Sequence, residues 1–475
     1  MAADTVDLGE ENSWIRIQNL GVHAAEIEIV FYDIDGNAVT TDVCPLFDGC
    51  GKLAPGNGWS FFQQGLEDLP AGYRGSAYVT VDQPFASLLA RDAFEDGLFR
   101  ISGDSLRLGA GTAVHYAPLV QNTAGSVSRV SIENASDETA MCVETSYYPE
   151  GVLTPVAVDP PGPTAGCPNG GQRLEPRATL VRDEHDLPAP AGFDGSAVIR
   201  TYATGEATAA SEQKPAVIVD SRDRDGPGLA TYRAMDALEL SRVVVLPLVD
   251  NGASEGQSSW STRFRIMNDE PAAPNEVTLL FDGVNADGDR LEIEHTVVVS
   301  SSLTCDQRLG GAGGCLPDGE RLPDVFFGTV RIQAVEPIAV VVQRISPDGA
   351  LADYRGFTVE EASHSVLLPV LNKNFGPWGG AKGWNSWFRV LTFDGSTAHV
   401  RVIYFSKHFV GNLVTPSVVV EGQQTFRQWE EWRLPDGWVG SALVISDRPV
   451  VVVANLESDV FVGDPVMLYN GVSAE

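Results

Sequence analysis

The sequence predicts an all-β chain built from four tandem β-sandwich domains, and three observations carry that prediction. A stretch ending Pro435-Asp-Gly-Trp438-Val-Gly440-Ser-Ala-Leu-Val-Ile-Ser-Asp-Arg-Pro449-Val-Val-Val-Val-Ala454 is written four times. Earlier copies run from Pro70 through Tyr73 and Gly75 to Pro84, from Pro190 through Phe193 and Gly195 to Pro215, and from Pro323 through Phe326 and Gly328 to Pro337. The glycines at 75, 195, 328 and 440 are 120, 133 and 112 residues apart. That spacing exceeds any propeller blade or solenoid repeat and matches a sandwich of roughly 100 residues plus loops. The 48 glycines and 29 prolines fit many turns and few helices.

Each copy reads as two apolar runs of strand length joined by a Pro-containing turn, the signature of a hairpin. Runs such as Val450–Val453 are apolar at every position, which predicts strands covered on both faces. The Gly-to-Pro distance is 9, 20, 9 and 9 residues, so the second copy carries an insertion around Thr204–Gln213. The predicted domains are 1–108, 109–236, 237–358 and 359–475.

In chain order, the first repeat enters a half-buried strand at Trp14-Ile-Arg-Ile-Gln-Asn19, followed by Ala25–Asp33. These blocks return at Ser128–Asn134 and Ala140–Tyr148, at Trp260–Asn268 and Val277–Asp282, and at Trp387–Leu391 and His399–Phe405. Each pair reads as two adjacent strands. Junctions such as Val244-Val-Leu-Pro247-Leu-Val-Asp-Asn251 and Leu367-Leu-Pro369-Val-Leu-Asn372 read as the first strand of the next domain, with Pro at an edge or bulge. No Gly/Ser tract separates the repeats, so limited hinge angles are expected. The first repeat has only Thr5-Val-Asp-Leu-Gly9 where the others have that strand. Either Val6 and Leu8 form a degenerate strand, or a strand from a neighbouring chain completes the edge.

The net charge of −32 leaves no basic stripe for nucleic acid and disfavours anionic membrane surfaces. Solubility accounts for it most simply; counter-ions or basic partners are the alternative. No apolar run reaches 18 residues, so no membrane span is predicted. Cys44 with Cys50, Cys142 with Cys167 and Cys305 with Cys315 form three close pairs without zinc spacing. Disulfides in an exported protein explain them better than reduced thiols do.

No catalytic constellation stands out. The seven histidines are scattered and no Gly-x-Ser-x-Gly elbow exists, so a non-enzymatic protein is expected. The acidic turns at Asp33 and Asp35, Asp223 and Asp225, and Asp287 and Asp289 supply oxygen ligands of the kind Ca²⁺ needs, though Asp-Gly is first a turn dipeptide. Six of nine tryptophans lie in the fourth repeat. Trp387 and Trp438 occupy repeated, core-type positions. Trp378, Trp384, Trp429 and Trp432 sit in loops, as interface or sugar platforms or as a covered satellite cluster.

Through the strand block ending in Asn19, the Phe-Tyr-Asp-x-Asp-Gly turn at Phe31–Gly36 and the Gly-Ser-Ala unit, the chain resembles tandem immunoglobulin-like repeats of bacterial exported surface and filament proteins. The resemblance covers all four repeats. It implies four immunoglobulin-like β-sandwich domains in an extracellular structural protein that self-assembles into a surface layer or filament. The alternative is an adhesin or carbohydrate-binding array whose partners are glycans or cell-envelope components.

Overall fold

The computed structural model describes residues 11–44, 52–66, 68–95, 97–106, 112–168, 170–205, 215–254, 259–269, 273–378, 382–406 and 412–474. The described chain is all-β, with short 3₁₀ turns and no α-helix. Each repeat follows one plan, and its strands take their names from their roles. A lead strand (Val114–Asn122, Ser241–Asn251, Ser363–Lys373) precedes an arginine strand (Asn12–Asn19, Ser126–Asn134, Ser259–Asn268, Trp384–Thr392). An aromatic strand follows (Ile27–Asp33, Met141–Pro149, Asn275–Asn285, Thr397–Phe405). The repeated stretch then forms a crossing strand, and an axial strand ends the unit (Leu98–Leu106, Leu229–Arg233, Leu351–Arg355, Val466–Asn470).

The repeated stretch is not a hairpin. In the third and fourth repeats it is one strand, Phe326–Ile345 and Trp438–Ser458, that passes from one layer to the other. Its first half pairs with the aromatic strand, as Val277–Asn285 with Phe326–Ala334, and its second half with the arginine strand, as Ser261–Asn268 with Ile338–Ile345. Pro337 and Pro449 stand at the change of layer, where a missing N–H removes nothing from either ladder. In the first repeat the halves are separate strands, Gly75–Val81 and Phe85–Glu95, again in different sheets. It follows that the arginine and aromatic strands, read as adjacent, lie in opposite layers with the core between them. Thus Ile15, Ile17, Ile27, Ile29 and Phe31 share one buried cluster.

The lead strands lie where the junction pattern placed them, antiparallel to the first half of the crossing strand. Pro247 and Pro369 sit in bulges, marked by register shifts between Leu246 and Val249 and between Leu368 and Leu371. The bulge exposes two peptide groups of the residue after Pro, and an axial tyrosine satisfies them. Tyr232 Oη donates to Leu119 O (2.8 Å) and accepts from Leu119 N. Tyr354 Oη does the same at Leu248 (2.7 Å to O), and Tyr469 Oη donates to Val370 O at 2.6 Å.

The repeats are not hinged in a row. The four axial strands pack side by side in a closed cycle, first against second, second against third, third against fourth, and fourth against first. Gly463–Asp464 of the fourth repeat adds in parallel to Phe99–Arg100 of the first. Three of the four seams are extensions of the cores. Trp14, Leu88 and Ile101 of the first repeat join the fourth repeat's cluster. Met267, Ala339 and Val341 of the third join that of the second, and Trp387, Val451 and Val453 of the fourth join that of the third.

Candidate functional site: the open strand position

The seams share a rule. The outward face of one repeat's arginine strand packs on the lead strand of the repeat beside it, and an arginine reaches a backbone carbonyl on that strand or, for Arg265, on the crossing strand paired with it. Arg16 Nε donates to Pro369 O (2.9 Å), Arg389 Nη1 to Pro247 O (3.3 Å), and Arg265 Nη1 to Gly195 O (2.6 Å). At the remaining seam the second repeat should pack on a lead strand of the first. Among the described residues that strand is absent, and the counterpart of the three arginines is Ser131.

Two walls of this position are therefore open. Gly75–Val81 pairs with Ile27–Asp33 on one side only, among described residues. Ala77 and Val79 are half-buried there, whereas their counterparts Ala197, Ile199, Val330, Ile332, Ala442 and Val444 are at most 1% exposed. Across the gap, Ser131, Glu133, Ala216 and Ile218 of the second repeat are half-buried, while the matching positions of every other repeat are buried. What joins the two repeats is polar. Arg129 forks Glu11 at 2.6 and 2.9 Å, Arg91 pairs with Asp220, and Ser102 Oγ meets Thr231 Oγ1 at 2.7 Å. Arg177 lies 3.6 Å over the Tyr78 ring. A groove of about 360 Å³ lined by Ile34, Arg74, Glu175 and Leu180 runs beside this seam. Burial pushes the Glu133 carboxyl up to about 7.

The centre of the cycle is charged and buried. Asp464 is fully buried and accepts the N–H groups of Leu229 and Leu351, both at 2.9 Å, so it ties the fourth repeat to the second and third. Burial nevertheless holds its carboxyl well above the ordinary range. Asp353 is pushed up to about 7 by burial as well. Glu239, which burial alone would raise, is brought down to about 2 by the Arg233 guanidinium 2.6 Å away.

The residues singled out in the sequence scatter. Cys142–Cys167 and Cys305–Cys315 are disulfides, the former tying the aromatic strand to a loop. Cys50 and the Cys44 side chain lie outside the described residues, as does Thr5–Gly9. Two of the acidic turns close on themselves: Asp33 Oδ1 accepts the N–H groups of Asp35 and Asn37, and Asn285 Oδ1 accepts those of Asp287 and Asp289. Asp223 accepts from Ser126 Oγ. Among described residues no three His, Cys, Asp or Glu stand together as an ion would need. Trp384 and Trp378 join Phe461 in an aromatic cluster that reaches Phe99 of the first repeat, and Trp429 packs on the third–fourth core. Trp432 alone of the four is broadly exposed, at 83%. Trp387 and Trp438 are buried.

Sequence reading missed the asparagine that ends the arginine strand. Asn19, Asn134 and Asn268 are buried, and each donates its Nδ2 to loop carbonyls, such as Leu53 O, Leu174 O and Ser300 O. Its recurrence at one place in the repeat was the signal. This also fixes Asn134 of the Asn134-Ala-Ser136 sequon as a corner staple with its amide enclosed.

No family model matches the chain, and no curated protein does. Two solved structures align over 99% of it. One is the tetra-tandem repeat in the extending region of a large adhesion protein, 13% identical, with 98% of that chain covered and a TM-score of 0.10. The other is the infectious bursal disease virus VP2 subviral particle, 10% identical, with 81% covered and a TM-score of 0.11. Both scores are far below that of a shared fold, so neither likeness bears on the function. No helix among the described residues is long and apolar enough to cross a membrane.

Proposed function

We propose that the chain is an exported, non-enzymatic structural protein of four immunoglobulin-like β-sandwich repeats that self-associates into a cell-surface layer or filament. The observation that carries this reading is the unequal fourth seam: three seams are apolar and complete, and at the fourth the Gly75–Val81 edge has no second strand partner among the described residues. An exposed edge of this kind is a template for another strand, and proteins that stay monomeric blunt it. Two disulfides in the described chain support an oxidising, extracellular setting. The acidic surface keeps the unit soluble until its edge is matched.

The test is electron microscopy of the purified protein at low and high Ca²⁺. Regular filaments or sheets are the expected result. Isolated four-repeat particles at every concentration would overturn self-assembly.

A second reading, an adhesin or carbohydrate-binding protein, draws on Trp432, whose ring is presented to solvent with Arg433 beside it. Loss of binding to a glycan array on Trp432→Ala, with particle shape intact, would favour it.

A further inference from the structure

The open strand position has a specific donor: we propose that Thr5–Gly9 of a second copy adds as a strand to the Gly75–Val81 edge. The inference rests on the self-association reading above and names its contact.

The three complete repeats show how a lead strand is locked. It carries Pro at a bulge, and an axial tyrosine holds the peptide groups of the bulged residue. In the first repeat the ladder places Asp104 at the tyrosine position, since Ile15, Leu89 and Asp104 pair in a row as Phe264, Val342 and Tyr354 do. Its carboxylate is taken up by Arg355 Nε at 3.2 Å and by the N–H of Arg233 at 3.0 Å, so no hydroxyl is offered to the open position. A bulged strand placed here would leave a buried N–H and C=O without partners, at a cost of about 1–3 kcal/mol each. A regular strand would not.

Thr5-Val-Asp-Leu-Gly9 is such a strand by sequence. It has no Pro, and Val6 and Leu8 alternate with Asp7, which sets both apolar side chains on one face. That face suits the half-buried Ala77 and Val79. The two locks, Pro and Tyr, are therefore missing together, one from the segment and one from the acceptor. Glu11, held by Arg129 of the second repeat, brings the chain to the mouth of the position. A strand held by a ladder and two apolar contacts, with neither lock, is free to exchange. The same ladder forms with the segment of a neighbouring copy, and a head-to-tail exchange of this kind propagates where its rotation does not close into a ring.

The experiment separates donor from acceptor. A chain lacking residues 1–9 keeps the edge and loses the strand; a chain with Val79→Glu keeps the strand and blocks the edge. In analytical ultracentrifugation each alone is expected to be monomeric, and an equimolar mixture to give a dimer that grows no further. A mixture that stays monomeric, or a shortened chain that associates as the intact one does, would overturn the proposal. Should Val79→Glu fail to fold by circular dichroism, a peptide of residues 1–11 is titrated onto the shortened chain. Saturable binding lost on Val6→Asp, together with concentration-dependent growth of the intact chain, is expected. No binding, or binding with an intact chain that remains monomeric, would overturn it. Filaments made by the shortened chain would sink this contact and leave the structural reading standing. A pairing mixture with no filaments or sheets from the intact chain would do the reverse.

Discussion

Arg355 Nε lies 3.2 Å from Asp104 Oδ2, joining the third repeat to the first across the centre of the cycle, with both side chains at most 4% exposed. The same Asp104 oxygen accepts the N–H of Arg233 from the second repeat at 3.0 Å. Removing the carboxylate leaves the enclosed guanidinium with Glu361, 3.4 Å away, and the charge of Glu239 to answer it. Asp104→Ala is expected to cost about 3–5 kcal/mol, the range for breaking one side of a buried ion pair. Urea unfolding measures it. A midpoint unchanged from the parent would mean that the cycle does not depend on this link.

The central carboxyls make stability fall as pH rises. Asp353 has a folded pKa of about 7 against an ordinary 3.8, so between those values the folded protein holds a proton that the unfolded chain releases. The contribution is complete below the unfolded value and is lost as pH climbs through 7. Asp464 acts in the same direction. Melting temperature should therefore decline from pH 5 to pH 8, and Asp353→Asn should flatten that decline. An equally steep decline in Asp353→Asn would assign it to other groups.

Tyr354 tests the lock on the lead strand. Tyr354→Phe removes the hydroxyl that serves both peptide groups of Leu248 and should cost about 1–3 kcal/mol in denaturant titration. Tyr232→Phe should behave alike at Leu119. A loss of only a few tenths would show that water serves the bulge as well.

The loop tryptophans should divide. Trp384→Ala disrupts a ring cluster with Phe99 and Phe461 at the fourth–first seam and should cost about 2–3 kcal/mol. Trp432→Ala should stay within about 0.5 kcal/mol, as expected for an exposed position. Thermal unfolding of the two variants side by side decides it.

Reduction should weaken the second and third repeats. The loops closed by Cys142–Cys167 and Cys305–Cys315 span 25 and 10 residues, for which chain entropy predicts about 3 kcal/mol each. Unfolding with and without dithiothreitol checks this, and identical midpoints would show that neither bridge restrains the unfolded chain.

Much of the fold was legible in the sequence because it is local. The alternation in Trp14–Asn19, the branched runs and the apolar-Pro-apolar junctions marked strand identity and order, and the recurring glycine spacing marked a repeated β unit. The cysteine partners at 142 and 167 and at 305 and 315 followed from proximity in the chain. The pairing of strands did not follow. Two apolar runs flanking Pro337 look alike whether they fold back on each other or run on into a second sheet, since the choice depends on partners some tens of residues away, Val277–Asn285 and Ser261–Asn268.

The tryptophans show the same limit for the candidate site. Sequence marked Trp384 and Trp432 equally, as loop residues without counterparts. Packing separated them, seating the half-buried Trp384 against Phe99 of the first repeat and leaving Trp432 in solvent. The sequence by itself determined an all-β repeat protein, because strand periodicity is written in neighbouring residues. Only the tertiary structure decided that the repeats close on themselves and that, among the described residues, no lead strand stands between the first two. That decision belongs to contacts such as Arg355 with Asp104 and Asp464 with Leu229, between residues more than 200 positions apart that no local pattern links.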